Sequence, residues 1–292
     1  MWQNGTQVDL GALPGRLKEC AAAAINNAGQ VVDQCSNAHF TLSHAFLWFR
    51  GKMRDLGALP GSSDGGATGL SSSGDVAGVS TPQGDSRLHG VLWKNGQIRD
   101  LGVLGSGYVQ SIARGVNVHD QVVGWSTQSS GFEQAFEWAN GTMTALKVGG
   151  GAQSEASAIN NNGQIAGGLL GSDGLKPALW AGGPAIVLPT LGDDGAALAI
   201  NQLGHPAGWV ATSGGGSHAA IWVNRLLVDL GEVRNAPTVA DAINGPGVVA
   251  RLVDLPDQTE EAVALLEVKR LGARHGAKPP GRGHIDAPPG LR

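Results

Sequence analysis

Short apolar runs recur along this chain, separated by clusters of Asn, Gly, Ser and Asp. Ala21 to Ile25, His44 to Trp48, Ile98 to Gly102, Val122 to Trp125 and Glu155 to Ile159 are runs of this kind. Their length and their Gly-rich bounds predict short β-strands joined by tight turns. The turns carry explicit signals. Asn95-Gly96 and Asn140-Gly141 supply the positive φ angles of two-residue hairpins. Leu17 to Ile25 and Glu260 to Leu271 have good helix propensity, but both fall on strand positions of a longer repeat, which predicts strand.

That repeat is the strongest signal in the chain, and internal periods outrank local propensity. Trp2, Trp48, Trp93, Trp138, Trp180 and Trp222 are spaced 46, 45, 45, 42 and 42 residues apart. A second lattice runs through Ile25-Asn26, Leu70-Ser71, Val116-Asn117, Ile159-Asn160, Ile200-Asn201 and Ile243-Asn244. Asp-Leu-Gly follows at Asp9, Asp55, Asp100 and Asp229, each seven residues after its Trp, whereas Ala145 and Val187 hold that place in two units. Four strands per unit of this length fit a propeller blade better than a solenoid coil, which is usually shorter. The predicted fold is an all-β, six-bladed β-propeller of four-stranded repeats over 1–268. The N-terminal segment supplies a late hairpin and the C-terminal segment the early strands, so the two are expected to share one blade and close the ring.

Composition narrows the classes of function. The chain has 292 residues with 47 Gly, 15% charged residues and a formal net charge of −4. No apolar run approaches the roughly 20 residues of a membrane span, and an acidic body argues against nucleic-acid binding. Residues 269–292 hold six Lys or Arg and one Asp. With their prolines they read as a basic disordered tail. No cofactor motif is present: the Gly149–Gly151 and Gly214–Gly216 runs lack the Lys-Ser/Thr of a phosphate loop. The Asn-Gly-Thr sites at Asn4 and Asn140 fall in hairpin turns.

The string His44-Ala45-Phe46-Leu47-Trp48, with Asp55-Leu56-Gly57 and Ile25-Asn26-Asn27-Ala28-Gly29, resembles the extracellular HAF-repeat family. Variants stand at His89 to Trp93, Gln134 to Trp138 and His218 to Trp222, and the resemblance covers residues 1 to 267. It implies a bacterial protein on or outside the cell, although the chain shows no signal peptide. It implies no catalytic residues.

Each of His44, His89 and His218 precedes an Asp by eleven residues: Asp55, Asp100 and Asp229. If the turn closes on Asn95-Gly96, Val91 pairs with Asp100, and His89 lies diagonal to it on one face. A structural His–Asp hydrogen bond per blade is expected, with no metal site. Trp48, Trp93, Trp138, Trp180 and Trp222 are expected to pack between blades. Trp125 and Trp209 lie off that lattice and are better candidates for exposure. Cys20 and Cys35 flank a turn symmetrically and fall opposite each other if Ile25 pairs with Gln30, which allows a disulfide. Free thiols in a reducing compartment are the alternative.

For binding, the loops between second and third strands and the connectors between blades emerge on one face. There Asp64, Asp85, Tyr108, Asp173, Asp193 and Asp194 are the candidates for a glycan, a divalent cation or a protein partner. The leading expectation is a monomeric, non-enzymatic binding propeller. A propeller enzyme acting on polysaccharide would break the repeat with unique polar residues, and Arg114 and His119 are mild breaks. A fragment of a longer repeat scaffold is the third reading.

Overall fold

The structure is a computed structural model that describes residues 2–3, 6–233, 236–254 and 260–265, with side chains over 6–233 and 236–250. Residues 269–292, the expected tail, lie outside the described residues. Among the described residues all regular structure is β. Five successive antiparallel sheets follow the period. Sheet 1 has an inner strand in two pieces, Glu19–Cys20 and Ala24–Ile25, then Val31–Ser36, Ser43–Phe49 and Lys52–Gly57. Sheet 2 runs Gly65–Leu70, Val76–Ser80, His89–Lys94, Gln97–Asp100. Sheet 3 runs Tyr108–Val116, Val122–Gln128, Glu133–Ala139, Thr142–Ala145. Sheet 4 runs Gln153–Ile159, Ile165–Gly171, Gly174–Trp180, Ile186–Val187. Sheet 5 runs Gly195–Ile200, Pro206–Ala211, Ser217–Val223, Leu226–Asp229. In each, strand order in space is strand order in sequence.

Sheet 6 has three strands, Val239–Ile243, Val249–Asp254 and Glu260–Leu265. The hairpin Trp2–Gln3 and Thr6–Gln7 forms a two-stranded sheet of its own. Among the described residues no ladder joins this hairpin to sheet 6. The third-strand place, expected from the N-terminal segment, is filled by Glu260–Leu265, which pairs along its length with Val249–Asp254.

The hairpin chemistry is as the sequence predicts. Asn95 and Gly96 have φ of 51° and 79°, and Val91 pairs with Asp100. Cys20 lies opposite Cys35 and the two are bonded. The register behind that pairing differs from expectation: Ile25 pairs with Val31 rather than Gln30. A one-residue slip between Ile25 and Cys20 restores the alignment, because the Cys20 pair and the Ile25 pair differ by one in register. The same bulge recurs in every later inner strand, between Ala67 and Gly69, Ala113 and Gly115, Ala156 and Ala158, Ala197 and Ala199, and Ala240 and Ala242. Each bulge sets two residues of the inner strand against one of its neighbour and bends the strand. The extra residues are Thr68, Arg114, Ser157, Leu198 and Asp241.

Neighbouring sheets pack the second strand of one against the inner strand of the next. Small residues allow the approach. A Cβ on Gly69 would stand 2.4 Å from the carbonyl oxygen of Arg114 in the next sheet, and one on Gly115 3.2 Å from the Cα of Ala158. The indoles of Trp48, Trp93, Trp138, Trp180 and Trp222 are buried in the resulting apolar clusters. Trp125 and Trp209 are half-buried.

Candidate functional site

At the outer edge of sheets 1, 2 and 5, the Nδ1 of His44, His89 and His218 lies 2.9 Å from a carboxylate oxygen of Asp55, Asp100 and Asp229. The same carboxylates accept the amide N–H of Gly57, Gly102 and Gly231, two residues on. Each pair fixes a third strand to the bend that ends its hairpin. Among the described residues no group of three or more His, Cys, Asp or Glu could hold a metal ion. In sheet 3, Gln134 replaces the His and its Nε2 donates to the Leu146 carbonyl and the Ser154 hydroxyl. In sheet 4, Lys176 replaces it and donates to the Asp193 carbonyl.

A second hydrogen-bond system was not anticipated. Asn117 Nδ2 donates to the Asn160 carbonyl at 3.0 Å, Asn160 to Asn201 at 3.0 Å, and Asn201 to Asn244 at 3.3 Å. Asn26 donates likewise to Ser71, at 2.9 Å. The Oδ1 of these Asn residues closes their own turns, as where Asn160 accepts from the backbone of Asn162 and Gln164. The Asn lattice therefore joins each sheet to the next, except from sheet 2, where Ser71 has no amide to extend.

Most of the acidic loop candidates are occupied with their own surroundings. Asp64 accepts from the Ser43 hydroxyl of the preceding sheet, and Asp194 from the Leu175 N–H of the preceding sheet. Gln153, at the same repeat position, accepts from the Glu133 N–H. This position is an inter-sheet latch. Asp85 caps its own loop at Ser86 and Arg87, and Asp173 takes the Ser172 hydroxyl. Asp193 offers its carbonyl to Lys176. Tyr108 begins the inner strand of sheet 3, half-buried. His119 lies in the tight turn after sheet 3's inner strand, and Arg114 on that strand.

The structure brings other residues together, at the loop end of the junction between sheets 3 and 4. The bulge residue Arg114 places its guanidinium carbon 5.6 Å from the centroid of Trp125. Across the junction the carboxyl of Glu155, on the inner strand of sheet 4, lies close enough to that of Glu133 for the two to influence each other's ionisation. Desolvation of the Glu155 carboxyl, then the hydrogen bond and charge of Glu133, push its pKa up to about 7, against the pull of Arg114. The Thr127 hydroxyl, on the same row as Glu133, is buried without a partner. Glu133 and Glu155 were not among the sequence candidates. The signal was available: five residues before each lattice Asn or Ser stand Ala21, Gly66, Ile112, Ala196 and Val239, and only sheet 4 has a charge there.

No protein-family model and no curated protein matches this chain. Solved structures do. TolB from Acinetobacter baumannii matches with a TM-score of 0.50 at 15% identity, over 76% of this chain and 56% of that one. An Aleuria aurantia lectin in complex with Fucα1-6GlcNAc matches with a TM-score of 0.47 at 13% identity, over 85% of this chain and 92% of that one. At these identities the likeness is one of fold, and the chain is a propeller-like succession of repeated antiparallel β-sheets.

Proposed function

We propose that the chain is a non-enzymatic binding module, a six-bladed propeller of the HAF-repeat kind that presents a carbohydrate site at the loop end of the sheet 3–sheet 4 junction. One observation carries this reading: the side chains that break the repeat converge on a single junction. Arg114, Glu133 and Glu155 stand where the other sheets have mostly small or apolar residues, and Arg114 lies beside Trp125. A half-buried indole gives a flat apolar surface with a polar edge. Beside it, a carboxyl pair sharing a proton offers several acceptors and one donor, and Arg114 offers further donors. That mixture suits the hydroxyls of a sugar.

Hydrolysis is the weaker reading. The two carboxyl groups of glycoside hydrolases stand roughly 5–5.5 Å apart or more, with the sugar between them. Here they touch. The Cys20–Cys35 bond supports a location on or outside a bacterial cell, because such bonds persist in oxidising compartments. The module is proposed to act as a monomer.

The test is a titration of the full chain with a defined panel of methyl glycosides and short oligosaccharides, read by calorimetry. Trp125→Ala is expected to weaken binding of any active sugar at least tenfold, while Trp209→Ala, on the equivalent strand of sheet 5, leaves it unchanged. Binding in Trp125→Ala equal to the parent, or no binding by any sugar, overturns the proposal. Release of reducing ends from a polysaccharide would favour the enzyme.

A further inference from the structure

The opposite end of the same junction holds the largest of a set of equivalent clefts. At the sheet 1–2 and 4–5 junctions they measure about 340 and 360 Å³, and at the sheet 3–4 junction about 740 Å³. The repeat explains the difference. Six residues after the lattice Trp, sheets 1 and 2 carry Arg54 and Arg99. A guanidinium nitrogen of Arg54 reaches to 3.1 Å from where a Cβ on Gly96 would stand, in the facing turn of sheet 2. Arg99 lies 5.6 Å from the centroid of Trp138 in sheet 3. These arginines fill the space between sheets. Sheet 3 has Thr144 instead. The facing turn has also withdrawn: Ala181-Gly182-Gly183 replaces the Lys94-Asn95-Gly96 of sheet 2, and at the 4–5 junction Arg225 occupies the corresponding turn.

We propose that this cleft is a second binding site, separate from the one at the loop end, and that it takes a neutral, hydroxyl-rich molecule of sugar size. Its volume lies within the range of small-molecule sites, roughly 300–1,000 Å³. Its lining holds one carboxylate, Glu137, and one ammonium, Lys147, so it favours no net charge on the ligand. Between them stand the side-chain amides of Gln121, Asn162 and Gln164 and the Thr144 hydroxyl. The polar wall is fixed in advance. Gln121 donates to Glu137 at 2.6 Å and accepts from Asn117 at 2.6 Å, and Gln164 accepts from Asn160 at 2.8 Å. At the base, the Trp180 indole N–H donates to the Lys147 carbonyl at 3.0 Å. A preformed wall of donors and acceptors binds hydroxyls without the cost of ordering its own side chains. Gln121 directly precedes the strand Val122–Gln128 and Thr127 lies near its far end, about 20 Å away at 3.3 Å per residue. The two sites are therefore independent in space.

The experiment uses the full chain carrying Trp125→Ala, which silences the loop-end site, so that failure of one proposal is distinct from failure of the other. The panel of methyl glycosides and short oligosaccharides is titrated while the Trp180 indole N–H resonance is followed by NMR. The expected result is a saturable shift of that resonance with at least one neutral sugar, lost by tenfold or more in affinity when Thr144→Arg restores the filling seen in sheets 1 and 2. Thr142→Ser, an exposed position on the same strand outside the lining, is expected to bind like its parent, with the same melting temperature. No shift with any sugar, or a shift that survives Thr144→Arg in a folded protein, overturns the inference.

Discussion

Sheets 1, 2 and 5 differ from sheets 3 and 4 in how they are held, and the difference shows that the repeat has two fastenings. The first group carries the His–Asp pair at its outer edge. The second has lost both partners and replaces the pair with bonds from Gln134 and Lys176 to connectors and to the next sheet. Yet sheets 3 and 4 keep the Asn lattice, which ties Asn117 to Asn160 and Asn160 to Asn201. Sheet 2 shows the reverse, with His89–Asp100 at the edge and Ser71 in the lattice. A unit with one fastening keeps its four strands, and both candidate sites lie at the junction of the two sheets that lack the pair. Specialisation has gone where the repeat could spare a contact.

The largest effect should come from breaking the lattice where it is the remaining fastening. Asn160 is 1% exposed, and its side chain donates to Gln164 and Asn201 and accepts from Asn162 and Gln164. Asn160→Ala should cost about 2–3 kcal/mol, the penalty of leaving buried polar groups unpaired. Ser71→Ala should cost about 1 kcal/mol, since no amide is lost to the neighbouring sheet. Equal losses in urea unfolding would mean that the lattice is only a set of turns.

The edge pair should matter less because it is partly open to water. His89→Ala should lower stability by about 1 kcal/mol, one hydrogen bond. The converse sharpens the comparison. Gln134→His with Ala145→Asp rebuilds the pair in sheet 3, and should offset at most about 1 kcal/mol of whatever Gln134 contributed. If the double variant melts lower than either single one, the sheet 3 edge has been reshaped beyond simple loss of the pair.

Much of this was legible in the sequence because it repeats. Burial of the five lattice Trp residues, the Asn-Gly turns and the His–Asp pairs follow from spacing, whereas Cys20 and Cys35 meet because a one-residue slip offsets the register at Ile25. The Asn lattice was visible as a pattern but not as a bond. A turn Asn uses its oxygen locally, and nothing local shows that its amide reaches a carbonyl 41 to 45 residues ahead. The recurrent bulge hid the loop-end site, since it decides which face Arg114 presents to Trp125. Glu133 and Glu155 belong to different sheets, so their contact depends on how sheets pack rather than on strand register. Asp64 and Asp194 have a contact that was hidden for a related reason: their loop position gave no sign that the neighbouring sheet donates to their carboxylates.

The smallest effect concerns pH. Glu155 has a pKa of about 7 in the folded chain against an ordinary 4.5. Below about pH 4.5 both folded and unfolded states hold this proton, and the group contributes nothing to the difference. Between 4.5 and 7 the unfolded state releases it while the folded state retains it, so stability falls as pH rises. Above 7 both states are ionised and the loss is constant. Solvent around the exposed part of Glu155 and the charge of Arg114 keep the effect small. Glu155→Gln should therefore melt with the parent at pH 4 and above it at pH 8, by a few degrees at most. A parallel pH dependence in both proteins would show that the two carboxyls do not share a proton, and would remove the hydrogen-bond donor that the loop-end site needs from them. Ala196, at the same place in sheet 5, has no proton to exchange, so Ala196→Ser should leave the profile of melting temperature against pH unchanged in shape.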